Sequence, residues 1–303
     1  MSGHVHAVTG AFGYSGLHIA RLLLAQGEHV RSLTGHPDRP DPFDGRVEVR
    51  RFQFEDPARM REALVGVKVL YNTYWVRFAH GKTTHVRAVE HSRRLFQAAS
   101  EVGVERIVHV SITNPSLDSP LPYFKGKAQV EQALAGSGLS HAILRPAVFF
   151  GGRDVLINNI AWLLRRLPVF GVAPGRYGLQ PIHVEDMARL AVEQGASRAN
   201  VTMDAVGPEA FGFRELVDMV RRAVGARALV TSVPPWLPLL ASRLLRPVVG
   251  DVVLTSDEVE GLCANLLVSS GPATGSTRFS VWLRQHAPEL GVTWASELDR
   301  HFR

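Results

Sequence analysis

A chain of 303 residues, 46% hydrophobic and 20% charged, has the composition of a folded globular protein, which excludes disordered and fibrous classes. Its 34 basic and 28 acidic residues leave a net charge of +6. The arginines come as scattered pairs rather than a basic run, so no nucleic-acid partner is expected.

The elements alternate from the start. His4 to Val8 reads as a strand, and the turn Thr9-Gly-Ala-Phe-Gly-Tyr-Ser-Gly16 leads into a helical pattern from Leu17 that Gly27 stops. His29 to Leu33 is a second strand and completes a βαβ unit. Strands follow at Val47–Phe52, Lys68–Tyr74, Arg106–Ser111 and His141–Phe150. Between them lie helices at Pro57–Leu64, capped by Asp56, at Thr83–Val102 and at Lys125–Leu134. This order predicts an α/β fold with a doubly wound parallel sheet of Rossmann type.

After Gly151 the pattern loosens. A helix is expected over Ile157–Leu167, a turn over Val169–Gly178, a strand over Gln180–Val184 and a helix from Glu185-Asp186. A strand over Val201–Val206 and a helix over Phe213–Val224 follow, and the tail from Pro234 is largely helical by pattern. The expected organisation is a nucleotide-binding domain over 1–151 and a smaller, mainly helical substrate lobe over 152–303 that partly returns to the sheet. The tail segment from Pro234 to Val249 is strongly apolar with two arginines. It reads first as a helix packed on the smaller lobe. The alternative is docking on a membrane or covering a lipophilic substrate.

No apolar stretch reaches the roughly eighteen residues of a membrane span, so stable membrane insertion is not expected. The start lacks the layout of a secretion signal and Cys263 is the only cysteine, so the expected location is cytoplasmic. His4 and His6 alternate on a strand with no third ligand nearby, and no metal site is expected. A monomer and a homodimer are both open.

Gly10, Gly13 and Gly16 lie between a strand and a helix. There they permit a tight turn, close approach of backbone to a pyrophosphate, and close helix packing. The helix start that follows offers N–H groups and a positive dipole end, and this places Phe12, Tyr14 and Ser15 beside the nucleotide. At the end of the second strand no acid stands where a ribose 2′-hydroxyl would be bound. Arg31, His36 and Arg39 are cations within reach of that position and Thr34 is a possible donor, which favours NADP(H) over NAD(H). Tyr123 and Lys127 are four apart at a helix start and so share a face. A nearby ammonium brings a phenol toward acid–base work at neutral pH. Upstream, Ser111 and Thr113 close a strand and either could orient a substrate oxygen.

Together these residues resemble the short-chain dehydrogenase/reductase superfamily in its extended and atypical branches. The strand Leu144-Arg-Pro-Ala-Val-Phe-Phe-Gly151 adds to the likeness. It is closest to proteins of the NAD-dependent epimerase/dehydratase type and to the NADPH-binding 39-kDa accessory subunit of respiratory complex I. The runs Tyr71–Phe78, Val108–Pro115 and Ile157–Leu164 carry that part of the likeness. The resemblance implies that Asn72, Thr73 and Tyr74 lie near the cofactor ribose and phosphates, and Gln53 and Phe54 near its adenine. It implies that Pro146, Val148 and Phe149 pack by the nicotinamide. Tyr123 would be the acid–base and Lys127 its partner, with Thr113 or Ser111 holding a small-molecule substrate. The implied activity is hydride transfer between NADP(H) and a carbonyl or hydroxyl. The alternative is a non-catalytic NADPH binder, a redox sensor or assembly factor, with the substrate pocket filled by Tyr74, Trp75 or the tail.

Overall fold

The computed structural model describes residues 4–298 other than 80, 82 and 153. In chain order β1 (Val5–Thr9), α1 (Tyr14–Ala25) and β2 (His29–Thr34) form the opening βαβ unit. Next come β3 (Val47–Arg51), α2 (Pro57–Leu64), β4 (Val67–Asn72), α3 (His85–Glu101), β5 (Arg106–Val110), α4 (Pro122–Ala135) and β6 (Ser140–Pro146). The chain continues through β7 (Val148–Phe150), α5 (Leu156–Arg166), β8 (Val169–Val172), β9 (Gly178–Leu179) and β10 (Pro181–His183). Then come α6 (Val184–Ala196), β11 (Val201–Ala205), β12 (Phe211–Gly212), α7 (Phe213–Ala223) and β13 (Leu229–Ser232). The last helices are α8 (Trp236–Val249), α9 (Ser256–Cys263) and α10 (Phe279–His286).

The chain divides into two compact units: Met1–Arg145 with Glu185–Asp204, and Pro146–Val184 with Ala205–Arg303. The first is built on a seven-stranded sheet in the order β11-β6-β5-β4-β1-β2-β3. The five pairings from β3 through β6 are parallel, as the expected doubly wound fold requires. Parallel strands covered on both faces are mostly apolar, and β5 is buried along its whole length, Arg106 and His109 included. Met60, Leu64, Leu95, Phe96 and Val130 from the helices close on Leu33, Leu70, Ile107 and Ile143 of the sheet. Asp56 caps α2 by accepting from the N–H groups of Ala58 and Arg59, with Pro57 at the first helical position. Arg106 ties α6 and its following loop to this sheet, donating from Nε to the Gln194 carbonyl and from Nη2 to that of Ala199.

The second unit packs α5, α7 and α10 around Phe150, Leu179, Leu216, Phe279 and Trp282. Three sequence expectations change here. The strand expected over His141–Phe150 is broken after Pro146, and β7 pairs with β10 rather than extending the main sheet. Proline has no N–H to continue a ladder. The turn expected over Val169–Gly178 begins with a strand, because β8 pairs in parallel with β13. The third concerns α8, which packs on its unit by one side only: Ser242 is buried and Pro238, Leu239, Leu245 and Val249 are half-buried, while Trp236, Leu237, Leu240, Leu244 and Val248 are exposed. No helix among the described residues is long and apolar enough to cross a membrane.

Candidate functional site

The turn between β1 and α1 is shaped by its glycines. Gly10 has φ of 67°, the left-handed region that side chains disfavour. Its N–H donates to the Leu33 carbonyl of β2, and its carbonyl accepts from Gly13 N at 2.8 Å. A Cβ on Gly13 would sit 3.1 Å from that carbonyl oxygen, and one on Gly16 would overlap it. The backbone is therefore drawn into a tight cradle at the start of α1. The first turn of α1 has no side-chain cap and no acidic residue. Such an N-terminus favours an anion, so these residues fit a nucleotide pyrophosphate. Phe12 is half-buried and packs its ring on the buried Phe43 at 5.9 Å. Tyr14 meets His18 edge-on, and Ser15 is half-buried in the first turn.

Thr9 fastens the end of β1 to the segment leaving β4. Its Oγ1 accepts from the N–H groups of Thr73 and Tyr74, and Thr73 Oγ1 donates to the Thr9 carbonyl at 2.6 Å. Asn72 is completely buried. Its Oδ1 accepts from Thr9 Oγ1 and Tyr74 N, and its Nδ2 lies 3.1 Å from His109 Nδ1. An amide donor at Nδ1 leaves the proton of His109 on Nε2. Burial, with Lys127 nearby, holds this imidazole well below its ordinary pKa. His109 thus serves as a neutral core group under the strand ends.

The loop after β2 holds the candidates for a 2′-phosphate. Thr34 Oγ1 accepts from His36 N, His36 is exposed and Arg39 is half-buried. Arg31 does not join them. It is buried, with Nε bonded to Glu48 at 2.7 Å and Nη1 to the Ala63 and Val65 carbonyls. Gln53 is exposed, and beside it Phe54 stacks on His91 with ring centroids 4.4 Å apart. Tyr74 completes this aromatic group, its hydroxyl 2.8 Å from His91 Nδ1, and burial pushes the phenol up to about 12. Glu55 is held at about 2 by Arg94, Arg87 and His91.

Tyr123 and Lys127 both lie in α4, which starts at Pro122 rather than Lys125. Lys127 is buried and donates from Nζ to the Val110 carbonyl at the end of β5, at 2.8 Å. Burial lowers its pKa to about 7, against a smaller opposing effect of Glu131. Trp75 touches both members of the pair. Its ring lies under the Lys127 ammonium at 4.7 Å and meets the Tyr123 ring edge-on at 5.9 Å. His85 stacks on Trp75 and also meets Tyr123 edge-on. A Cβ at Gly126 would come within 2.9 Å of the Trp75 ring, so that glycine makes room for the indole. Ser111 and Thr113 are buried just beyond β5, and Ser111 Oγ has no hydrogen-bond partner among the described residues.

Thr9, Asn72 to Trp75, Ser111, Thr113, Tyr123 and Lys127 are thus carried by the carboxyl ends of neighbouring strands β1, β4 and β5 and by α4. Pro146 ends β6, while Val148 and Phe149 belong to β7 of the second unit. Sequence reasoning missed Thr9, His85 and His109. For Thr9 and His109 the one available signal was a polar residue inside or closing an apolar strand, as in Ile107-Val-His-Val; His85 opens α3 and had none.

Residues 10–158 match the NAD(P)H-binding family. The NADH-ubiquinone oxidoreductase 40 kDa subunit of Neurospora crassa is 26% identical, over 86% of this chain and 71% of its own length. The triphenylmethane reductase of Citrobacter sp., solved with NADP(H), superposes with a TM-score of 0.76 at 16% identity, over 93% of this chain and 99% of that one. A nucleoside-diphosphate-sugar epimerase of Staphylococcus aureus gives 0.75 at 17% identity, over 92% and 99%. The chain therefore carries an NAD(P)H-binding domain, on a fold that reductases and epimerases share.

Proposed function

We propose that this NAD(P)H-binding protein is an oxidoreductase in which Tyr123 exchanges a proton with a substrate carbonyl or hydroxyl. NADP(H), when bound, supplies or accepts the hydride. The Gly10–Gly16 cradle would hold the pyrophosphate, and Thr34, His36 and Arg39 favour NADP(H) through its 2′-phosphate. The observation that carries this reading is Lys127, buried one helical turn from Tyr123 and anchored on Val110 at the end of β5. An ammonium one turn away stabilises the phenolate, and Ser111 Oγ, buried just past β5 with no hydrogen-bond partner among the described residues, is the candidate hydroxyl for orienting the substrate oxygen. In the second unit a cavity of about 660 Å³ lies by the start of α7, lined by Arg176, Tyr177, Phe211, Arg214 and Asn265. It is a candidate for substrate selection by that unit. The test is NADPH oxidation by purified protein against aldehydes, ketones and quinones, with Tyr123→Phe beside it. Loss of a general acid costs on the order of 100-fold or more in rate. Equal turnover by Tyr123→Phe refutes the assignment of the proton to Tyr123.

One observation favours a second reading, a protein that holds NADP(H) without turnover. Trp75 fills the surface of α4 beside Tyr123 and Lys127, its ring against both. Tight NADPH binding by the wild type and Tyr123→Phe, with no oxidation by either, selects this reading. A substrate that is epimerised or dehydrated without net NADPH loss returns the assignment to catalysis, since those reactions use the same groups.

A further inference from the structure

We propose that α8 is a peripheral membrane-binding element that lies in the interface of an anionic lipid bilayer. The helix leaves Trp236, Leu237, Leu240, Leu244 and Val248 exposed, at 61, 37, 45, 70 and 73% of their surfaces. At 100° per residue these five, with Ala241 and Pro247, cover a continuous apolar arc of about 140°. The opposite side carries Ser242, which is buried with its Oγ bonded to the Leu239 carbonyl. The helix therefore rests on its unit by the side that carries Pro238, Leu239, Ser242, Leu245 and Val249, and turns a second apolar side to solvent. The strand pair next to it, β8 and β13, also exposes apolar side chains at the register partners Val169 and Leu229.

Charge decides the occupant. The only charged residues of α8 are Arg243 and Arg246, both exposed, and neither joins an ion pair among the described residues. Arg246 lies about 80° round the helix from the Trp236 edge of the apolar arc, and Arg243 borders that edge. That is where arginine stems lie along acyl chains while their guanidinium groups reach phosphates. Trp236, at the first helical position, suits the same boundary. A second copy of this chain fits less well. A two-fold contact through this face would set like arginines together on chains of net charge +6. The helix is too short to span a bilayer, so it lies on the surface.

The experiment is co-sedimentation of the full chain with phosphatidylcholine vesicles and with vesicles that also contain phosphatidylglycerol. Binding is expected to the second kind and to weaken as salt is raised. A cation near an anionic surface is worth about 1 kcal/mol, so Arg243→Gln with Arg246→Gln binds about 30-fold more weakly. Leu244→Glu with Val248→Glu abolishes binding, and because both positions are exposed the urea midpoint stays at the wild-type value. Failure of the wild type to sediment with anionic vesicles overturns the proposal. So does unchanged binding by the Glu variant. A solution dimer that Leu244→Glu dissociates, without vesicle binding, gives the face to a second copy instead.

Discussion

Replacing Lys127 by Met is expected to stabilise the protein while removing the activity proposed above. Lys127 is buried, and its pKa falls from an ordinary 10.5 to about 7. At pH 7 a shift of that size costs the folded state about 4 kcal/mol relative to the unfolded chain. Two losses oppose the gain. The Val110 carbonyl loses the 2.8 Å bond from Nζ, worth about 1–2 kcal/mol, and the contact over the Trp75 ring is worth about 1 kcal/mol. Met has nearly the same length and keeps the packing. The net expectation is a stabilisation of about 1–2 kcal/mol at pH 7. Its pH dependence has a definite sign. The folded pKa lies below the unfolded one, so the penalty is complete below pH 7 and fades as pH rises toward 10.5. The advantage of Lys127→Met should therefore shrink, then reverse, over that interval. Urea unfolding of the nucleotide-free protein at several pH values measures it, through the midpoint at constant slope. A variant less stable than wild type by more than about 1 kcal/mol at pH 7 refutes the reasoning, because burial would then not be the main influence on this lysine.

Three further expectations concern the nucleotide. Gly16→Ala drives a Cβ into the Gly10 carbonyl, which is backbone and cannot swing aside. It should cost about 1–3 kcal/mol in urea unfolding and weaken NADPH binding by at least about tenfold in a fluorescence titration. Arg31→Leu leaves two carbonyls without a donor and should lower stability by about 2–3 kcal/mol, with the ratio of NADPH to NADH affinities unchanged. Arg39→Ala should do the reverse, lowering that ratio with stability nearly unchanged; an altered ratio in Arg31→Leu alone would move the 2′-phosphate site.

Local signals carried most of the first unit. The Asp56-Pro57 start of α2, the glycine turn and the i,i+4 pair on α4 are each written within a few neighbouring residues. What escaped depends on partners far along the chain. Arg31 reads as a cation near a phosphate site until β2 and β3 pair, which sets it against Glu48 in register. Strand β8 exists because β13, sixty residues later, lies beside it. The exposure of α8 is of the same kind: an apolar helix has the same sequence whether its face is covered or open.

Trp75 shows how such partners bear on chemistry. The Thr9 hydroxyl accepts from both Thr73 and Tyr74, so the backbone leaving β4 is held just before the indole. Tyr74 then goes to Phe54 and His91, and Trp75 goes to α4, where Gly126 leaves it space. The indole is thus placed by a strand-end clamp on one side and a missing Cβ on the other. It gives Lys127 an aromatic face, which favours the charged amine, while its bulk helps to create the dry surroundings that disfavour it. The same side chain therefore bears on the charge of Lys127 and takes up room beside Tyr123. Activity and idle nucleotide binding differ here by whether a substrate oxygen can reach Tyr123 past that ring.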